Sequence, residues 1–261
     1  MVVRDKDGLS EQEFLAQYDA SAYERPSVTA DIVLFAAPGD VFRGALHDTP
    51  GGGLHGALHG ELHDALPGEP DDRHKLPTQD LELLLIRRGG HPYLGRWALP
   101  GGFLDPNETL DQTARRELKE ETGVDDTASD VCLQQLHTFS KPGRDPRGWT
   151  VTGAYIALAD RSKLTLKAGD DAADAAWFKM ALTRGEGQTW HLELTGAGEV
   201  LRATFTEIAE TETNVSTAAA VTTTATATVS QVLPPLIATT SDLAFDHANI
   251  IACALQKLWS T

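Results

Sequence analysis

An α/β fold is predicted by three observations. Two runs of branched apolar residues, Ser27 to Ala36 (SVTADIVLFA) and Leu81 to Arg87 (LELLLIR), read as buried strands. A helix from about Leu110 to Thr122 has both its start and its stop written into the chain. A second helical pattern closes the sequence between Leu243 and Trp259, where Ile250, Ile251, Ala254, Leu255 and Leu258 recur at helical spacing.

Between the first two strands, residues 44–68 repeat a Gly-Ala-Leu-His-like unit and place His55, His59 and His63 four residues apart. On a helix these would line one face and offer a metal site. The neighbouring Gly51, Gly52 and Gly53 oppose a helix, so the segment is expected to be a flexible surface insertion. After the second strand come a Gly-rich loop at Gly101 and Gly102, the helix, and strands at Val131 to Phe139, Thr150 to Leu158 and Ala175 to Lys179. Trp190 to Ile208 alternates apolar and polar residues around Gly196-Ala197-Gly198, the pattern of an extra hairpin. Glu210 to Ser230 is a Thr/Ala/Glu run with too little apolar surface to form a core, and it is expected to be a linker or loop.

At 261 residues with 41% hydrophobic content, the chain can bury a substantial core. Its 38 acidic and 22 basic residues give a formal charge of −16, which repels nucleic-acid backbones and anionic membranes at long range. A polyanionic ligand would then need a local basic patch or a divalent cation. Cys132 and Cys253 each lie in an apolar segment and are expected to be buried free thiols. The stretch from Met1 to Phe14 lacks the apolar core of a signal peptide, and no run of about 18 apolar residues occurs. A soluble cytoplasmic protein without nucleic-acid or membrane partners is the expectation.

The chemistry concentrates in Gly102 to Val124 (GFLDPNETLDQTARRELKEETGV). Thr109 with Gln112 three residues on forms a capping box, and Gly123 stands where helices end in a left-handed residue. At roughly 100° per residue, Glu117 and Glu121 lie about 40° apart and Glu120 about 60° to the other side, with Ala114 and Leu118 bordering the sector. A solvated acidic face is the ordinary reading of such a cluster, and Arg116 would neutralise Glu120 from four residues away. Carboxylates crowded at the rim of a core nevertheless repel unless protonated or bridged by a cation, and hard oxygen ligands select Mg²⁺ or Mn²⁺.

The segment resembles the Nudix box: Gly, five residues, Glu, seven residues, Arg-Glu, an aliphatic residue, any residue, Glu-Glu, any residue, Gly, an aliphatic residue. Gly102, Glu108, Arg116, Glu117, Leu118, Glu120, Glu121, Gly123 and Val124 fill every position. With the fixed residues at about 5% background each, a chance match is on the order of one in a billion per start point. The resemblance implies an α/β/α Nudix fold, a mixed sheet sandwiched between helices. It also implies Glu117 and Glu121 as principal Mg²⁺ ligands (Mn²⁺ the alternative), Glu120 assisting, and a backbone carbonyl near Gly102 adding another. Glu108 and Arg116 are implied as the pair that supports the helix and its loop.

Further segments are similar to the ADP-ribose pyrophosphatase branch of that family: Tyr18-Asp19 with Tyr23-Glu24-Arg25-Pro26, Arg87-Arg88-Gly89, His91 to Gly102, Arg144-Asp145-Pro146-Arg147, residues 168–172 before Trp177-Phe178, and Leu243 to His247. A single domain over 14–261 is expected, with insertions at about 40–78 and 181–231. The resemblance implies hydrolysis of ADP-ribose or a relative to AMP and ribose 5-phosphate, with Asp170 or Asp171 as the matching candidate for the general base. Asp171 joins Glu117, Glu120 and Glu121 as a catalytic candidate, although an ordinary turn is an equal reading of the Asp170–Asp171 pair. Arg144 and Arg147, then Arg87 and Arg96, are the candidates for the substrate phosphates or ribose. Asp246 is read as a helix cap and His247 as structural.

Two rival functions stand beside this one. Nudix-type transcriptional repressors sense a metabolite and bind DNA through a C-terminal winged helix, a region for which the sequence beyond Leu258 has no room, and an intact box favours catalysis. A nucleoside triphosphate pyrophosphohydrolase acting on damaged nucleotides is the other. The family resemblance also implies a homodimer.

Overall fold

A computed structural model describes residues 2–38, 81–126, 131–167, 172–208 and 233–259. The His-bearing segment, Asp170, Asp171 and the Thr/Ala-rich run lie outside the described residues. One sheet organises the rest. Its strands are β1 (Ser27–Ala37), β2 (Glu82–Arg88), β3 (Trp97–Ala98), β4 (Gly101–Phe103), β5 (Gln134–Phe139), β6 (Thr150–Asp160), β7 (Ala172–Arg184), β8 (Thr189–Gly196), β9 (Glu199–Glu207) and β10 (Leu236–Ser241). They run in the order β10-β9-β8-β7-β2-β1-β6-β5, with β3 paired to β2 and β4 to β1. The β1–β6 ladder is parallel over eleven partners from Ser27–Thr150 to Ala37–Asp160, and the other ladders are antiparallel, so the sheet is mixed.

The unbroken apolar run of β1 follows from burial on both faces. Ile32 and Leu34 pack with Leu84, Ala114, Leu118 and Tyr155 on one side. Val33 and Phe35 pack with Leu83, Leu85, Phe178, Ile250 and Leu255 on the other. The first side is covered by α2 (Leu110–Thr122) and the second by α3 (His247–Trp259). This is the expected α/β/α sandwich. Each fully buried leucine contributes about 1.5–3 kcal/mol, so Leu118 alone anchors α2 by more than its caps do.

The caps of α2 are as the sequence predicts: Thr109 accepts from Gln112 N, the Gln112 side chain accepts from Thr109 N, and Gly123 is left-handed at φ 73°. A short α1 (Glu11–Gln17) with a Ser10–Glu13 capping box was not anticipated, nor was β10. The hairpin expected between Trp190 and Ile208 is present and joins the sheet: β7 runs unbroken to Arg184, and the β8–β9 hairpin adds two strands to its edge. The hairpin turns through Ala197 (φ 49°) and Gly198 (φ 75°), both left-handed, the geometry of a two-residue turn that matches strand twist.

Both cysteines are free, but Cys132 is exposed and Cys253 only partly buried. Cys132 falls in the extended residues just before β5, which explains the departure. Among the described residues no helix is long and apolar enough to cross a membrane.

Candidate metal and anion site

A cavity of about 520 Å³ opens where β1, β4, α2, the 144–147 loop and the start of α3 meet. One wall is acidic. Strand β4 lies antiparallel to β1, pairing Ala30 with Gly102 and Asp31 with Gly101, and brings the glycines against the side of α2. A side chain at Gly102 would coincide with the Glu117 carboxylate, so only glycine allows that approach. Glu121, 9% exposed, accepts the Gly101 N–H at 2.8 Å. Burial pushes the Glu121 carboxyl up to about 8, with Glu117 and Asp31 adding negative charge against the pull of the Gly101 N–H.

Glu120 behaves differently. Its side chain is 60% exposed and meets Arg116 at 3.1 Å, off the cavity wall. Accordingly no cluster of three or more His, Cys, Asp or Glu side chains is gathered for a metal among the described residues. Glu117 and Glu121 remain as an acidic pair beside the Gly101–Gly102 backbone. That set suits Mg²⁺, which takes one or two carboxylates, keeps waters and uses substrate phosphate oxygens for the rest. A dication would offset the burial and the neighbouring negative charge that together raise the Glu121 carboxyl.

Glu108 and Arg116 sit together as the resemblance implied. Arg116 donates to Glu108 Oε1 at 2.9 Å and Oε2 at 3.0 Å, to the Phe103 carbonyl at 3.0 Å and to Glu117 at 2.7 Å. The guanidinium holds the Glu108 carboxyl down to about 2, so this clamp persists through any neutral or mildly acidic pH.

The opposite wall is cationic, and its membership differs from expectation. Arg87 and Arg96 lie off the cavity: Arg87 stacks on Trp97 and pairs with Glu199, while Arg96 lies over Tyr93. Arg88 takes that place. Alternation along β2 puts Leu84, Ile86 and Arg88 on one face and Leu85 and Arg87 on the other, a distinction the period of two made available. Arg147 lines the cavity, held by Asp145 through Nε and Nη2.

Arg144 reaches the cavity but is not a free arm. Its side chain is 4% exposed, grips Asp246 at 3.0 Å and 2.8 Å, and lies 3.4 Å from Asp31. Asp246 therefore serves Arg144 as an ion partner. His247 is buried at the back of the same cavity. Its Nδ1 accepts the Leu99 N–H at 2.8 Å, burial holds its pKa below the ordinary value, and Nε2 lies 3.8 Å from Asp31. Asp31, Asp145 and Phe245 were not singled out from the sequence, although a lone aspartate inside SVTADIVLFA is a signal, because burying a charge needs a partner or a function.

Gly102→Ala tests the acidic wall. The methyl must displace the Glu117 carboxylate, so we expect metal-dependent turnover to fall about a hundredfold with little change in Tm. Activity within twofold of wild type would show that the close approach is dispensable.

The NUDIX domain family matches residues 76–195. An ADP-ribose pyrophosphatase of Methanocaldococcus jannaschii is 40% identical over 102 residues, 39% of this chain and 57% of that protein. The ADPR responsive transcriptional repressor NtrR of Acinetobacter baylyi is 34% identical over 151 residues, 57% of this chain and 43% of that protein. The chain thus spans about half the length of these curated relatives. The crystal structure of a MutT/nudix family protein from Enterococcus faecalis superposes with TM-score 0.57 at 30% identity, covering 97% of this chain and 71% of that one.

Proposed function

We propose, from the premise that this chain belongs to the NUDIX domain family, that it hydrolyses the pyrophosphate linkage of a nucleoside diphosphate derivative with Mg²⁺. ADP-ribose is the first candidate, giving AMP and ribose 5-phosphate. One observation carries the reading: a single cavity sets the Glu117–Glu121 pair against Arg88 and Arg147, so that one ligand with adjacent phosphates meets a cation-holding wall and an anion-holding wall together.

In this reading Glu117 and Glu121 hold Mg²⁺ beside the Gly102 carbonyl, with Glu120 assisting through water. The bound ion would neutralise phosphate oxygens and lower the pKa of a water. Arg116 and Glu108 fix the helix and the Gly102–Phe103 backbone, Arg147 and Arg88 orient the phosphates, and Arg144 secures the wall behind them. Asp171, outside the described residues, is the proposed general base on sequence grounds. Arg87 and Arg96, off the cavity, contribute indirectly by packing. The catalytic unit is a single domain over 14–261, acting in the cytoplasm as a homodimer.

Likeness to an ADPR-responsive repressor favours a second reading, a nucleotide-sugar sensor. A substrate panel separates the two: ADP-ribose, NAD, NADH, other nucleotide sugars and oxidised nucleoside triphosphates, with and without Mg²⁺, read by product chromatography. We expect metal-dependent AMP release from ADP-ribose. Tight binding with no cleavage of any panel member makes the protein a sensor, and preference for triphosphates moves it to the damaged-nucleotide class.

A further inference from the structure

The cationic wall is organised around one aromatic ring from outside the matched domain. Phe245 precedes α3, in sequence far from the box, and its backbone is left-handed at φ 52°, a region that bulky residues rarely occupy. The Ala244 N–H bonded to the Trp97 carbonyl at 2.9 Å and the Asp246–Arg144 pair on the other side hold it there. Its ring meets Tyr93 edge-on at 4.8 Å. Around that ring the guanidinium of Arg88 lies 4.9 Å from its centre and that of Arg147 5.4 Å, while Arg147 also lies 4.7 Å from the Phe103 ring.

Two like charges are thus brought to one ring inside a cavity. Arg88 donates through Nε to the Pro92 carbonyl at 2.7 Å. Arg147 spends Nε and Nη2 on Asp145. Among the described residues, both Nη atoms of Arg88 and Nη1 of Arg147 make no hydrogen bond, and Arg88 makes no ion pair. Ring faces attract guanidinium groups without consuming their N–H donors, so stacking sets direction while leaving donors for an acceptor. A planar cation fixed in this way is preorganised for a bidentate oxyanion.

We propose that Phe245 is a positioning residue that holds Arg88 and Arg147 together as a clamp for one phosphate of an organic diphosphate. The identity of the diphosphate rests on the proposed pyrophosphatase reading; the clamp does not. Phe245 touches both arginines, so its removal loosens binding through them. Arg88 is the more dependent of the two, since Asp145 restrains Arg147 independently.

Calorimetric titration of the full chain with inorganic pyrophosphate, in chelator to exclude metal bridging, tests the clamp. We expect wild type to bind, Phe245→Leu and Arg88→Ala each to bind about tenfold more weakly, and the double variant to be no weaker than either alone. Phe245→Tyr, which keeps the ring, should stay within about threefold of wild type. Leucine fills the core without a π face, so it decides the matter even if Phe245→Ala fails to fold. Absence of pyrophosphate binding by wild type, or wild-type affinity in Phe245→Leu, overturns the clamp. Pyrophosphate binding as described, with no Mg²⁺-dependent cleavage of any member of the substrate panel, overturns the pyrophosphatase reading and leaves the clamp standing.

Discussion

Glu121→Gln is expected to abolish Mg²⁺-dependent turnover by at least about a thousandfold, on the order of 4 kcal/mol of transition-state stabilisation, without unfolding the chain. Glutamine retains an oxygen for the Gly101 N–H and removes the charge that burial resists, so the fold loses little. The pH dependence gives an independent check. Glu121 binds its proton more tightly in the folded chain, at about 8, than the ordinary carboxyl does at 4.5. A raised folded value favours the folded state below 4.5, and that contribution drains away as pH rises from 4.5 through about 8. In chelator, wild-type Tm should therefore fall across this window while that of Glu121→Gln stays flatter. Added Mg²⁺, competing with the proton, should restore wild-type Tm most strongly near pH 8 and the variant's hardly at all. Wild-type turnover in Glu121→Gln would remove this residue from the metal assignment.

Arg144→Ala is expected to cost about 3–5 kcal/mol, because it leaves two buried carboxylates facing each other without a countercharge. Asp31 is 10% and Asp246 16% exposed at the side chain, and Arg144 is the strong donor to Asp246. His247, held neutral by burial, cannot replace it. For a chain of this size the loss lowers Tm by roughly 10 °C. Differential scanning calorimetry reads it directly, and a shift below about 2 °C would mean that water or rearrangement satisfies the two acids. Arg144→Lys should recover part of the loss, since one ammonium supplies the charge but not the two-pronged contact.

How much of this was legible in the sequence depended on whether a signal was local. The α2 boundaries were readable to the residue because both caps are encoded within the helix and its flanks. The strand at Ser27 to Ala36 was readable because double-sided burial demands an uninterrupted apolar run. Strand β10 was not, since LIATTS is too short and half polar to carry a periodic signal and owes its place to pairing with β9 around a bulge. In the site, the box glutamates carried a spacing signature, and the four-residue spacing already offered Arg116 as the partner that Glu120 takes. The arginines were harder. Arg87 and Arg88 differ only in strand face, and Arg144 looks like a surface loop residue until Asp31 and Asp246 arrive from distant segments.

The hydrogen bond from Leu99 to His247 joins positions 148 apart, and the Arg144–Asp246 pair joins positions 102 apart. A ribosome therefore releases the acidic helix and its facing arginines long before Asp246 and His247. Until position 247 emerges, a nascent or prematurely terminated chain carries the box without the contacts that tie down Arg144 and Leu99. Closure of the pocket by these long-range contacts therefore waits until synthesis of this segment is finished.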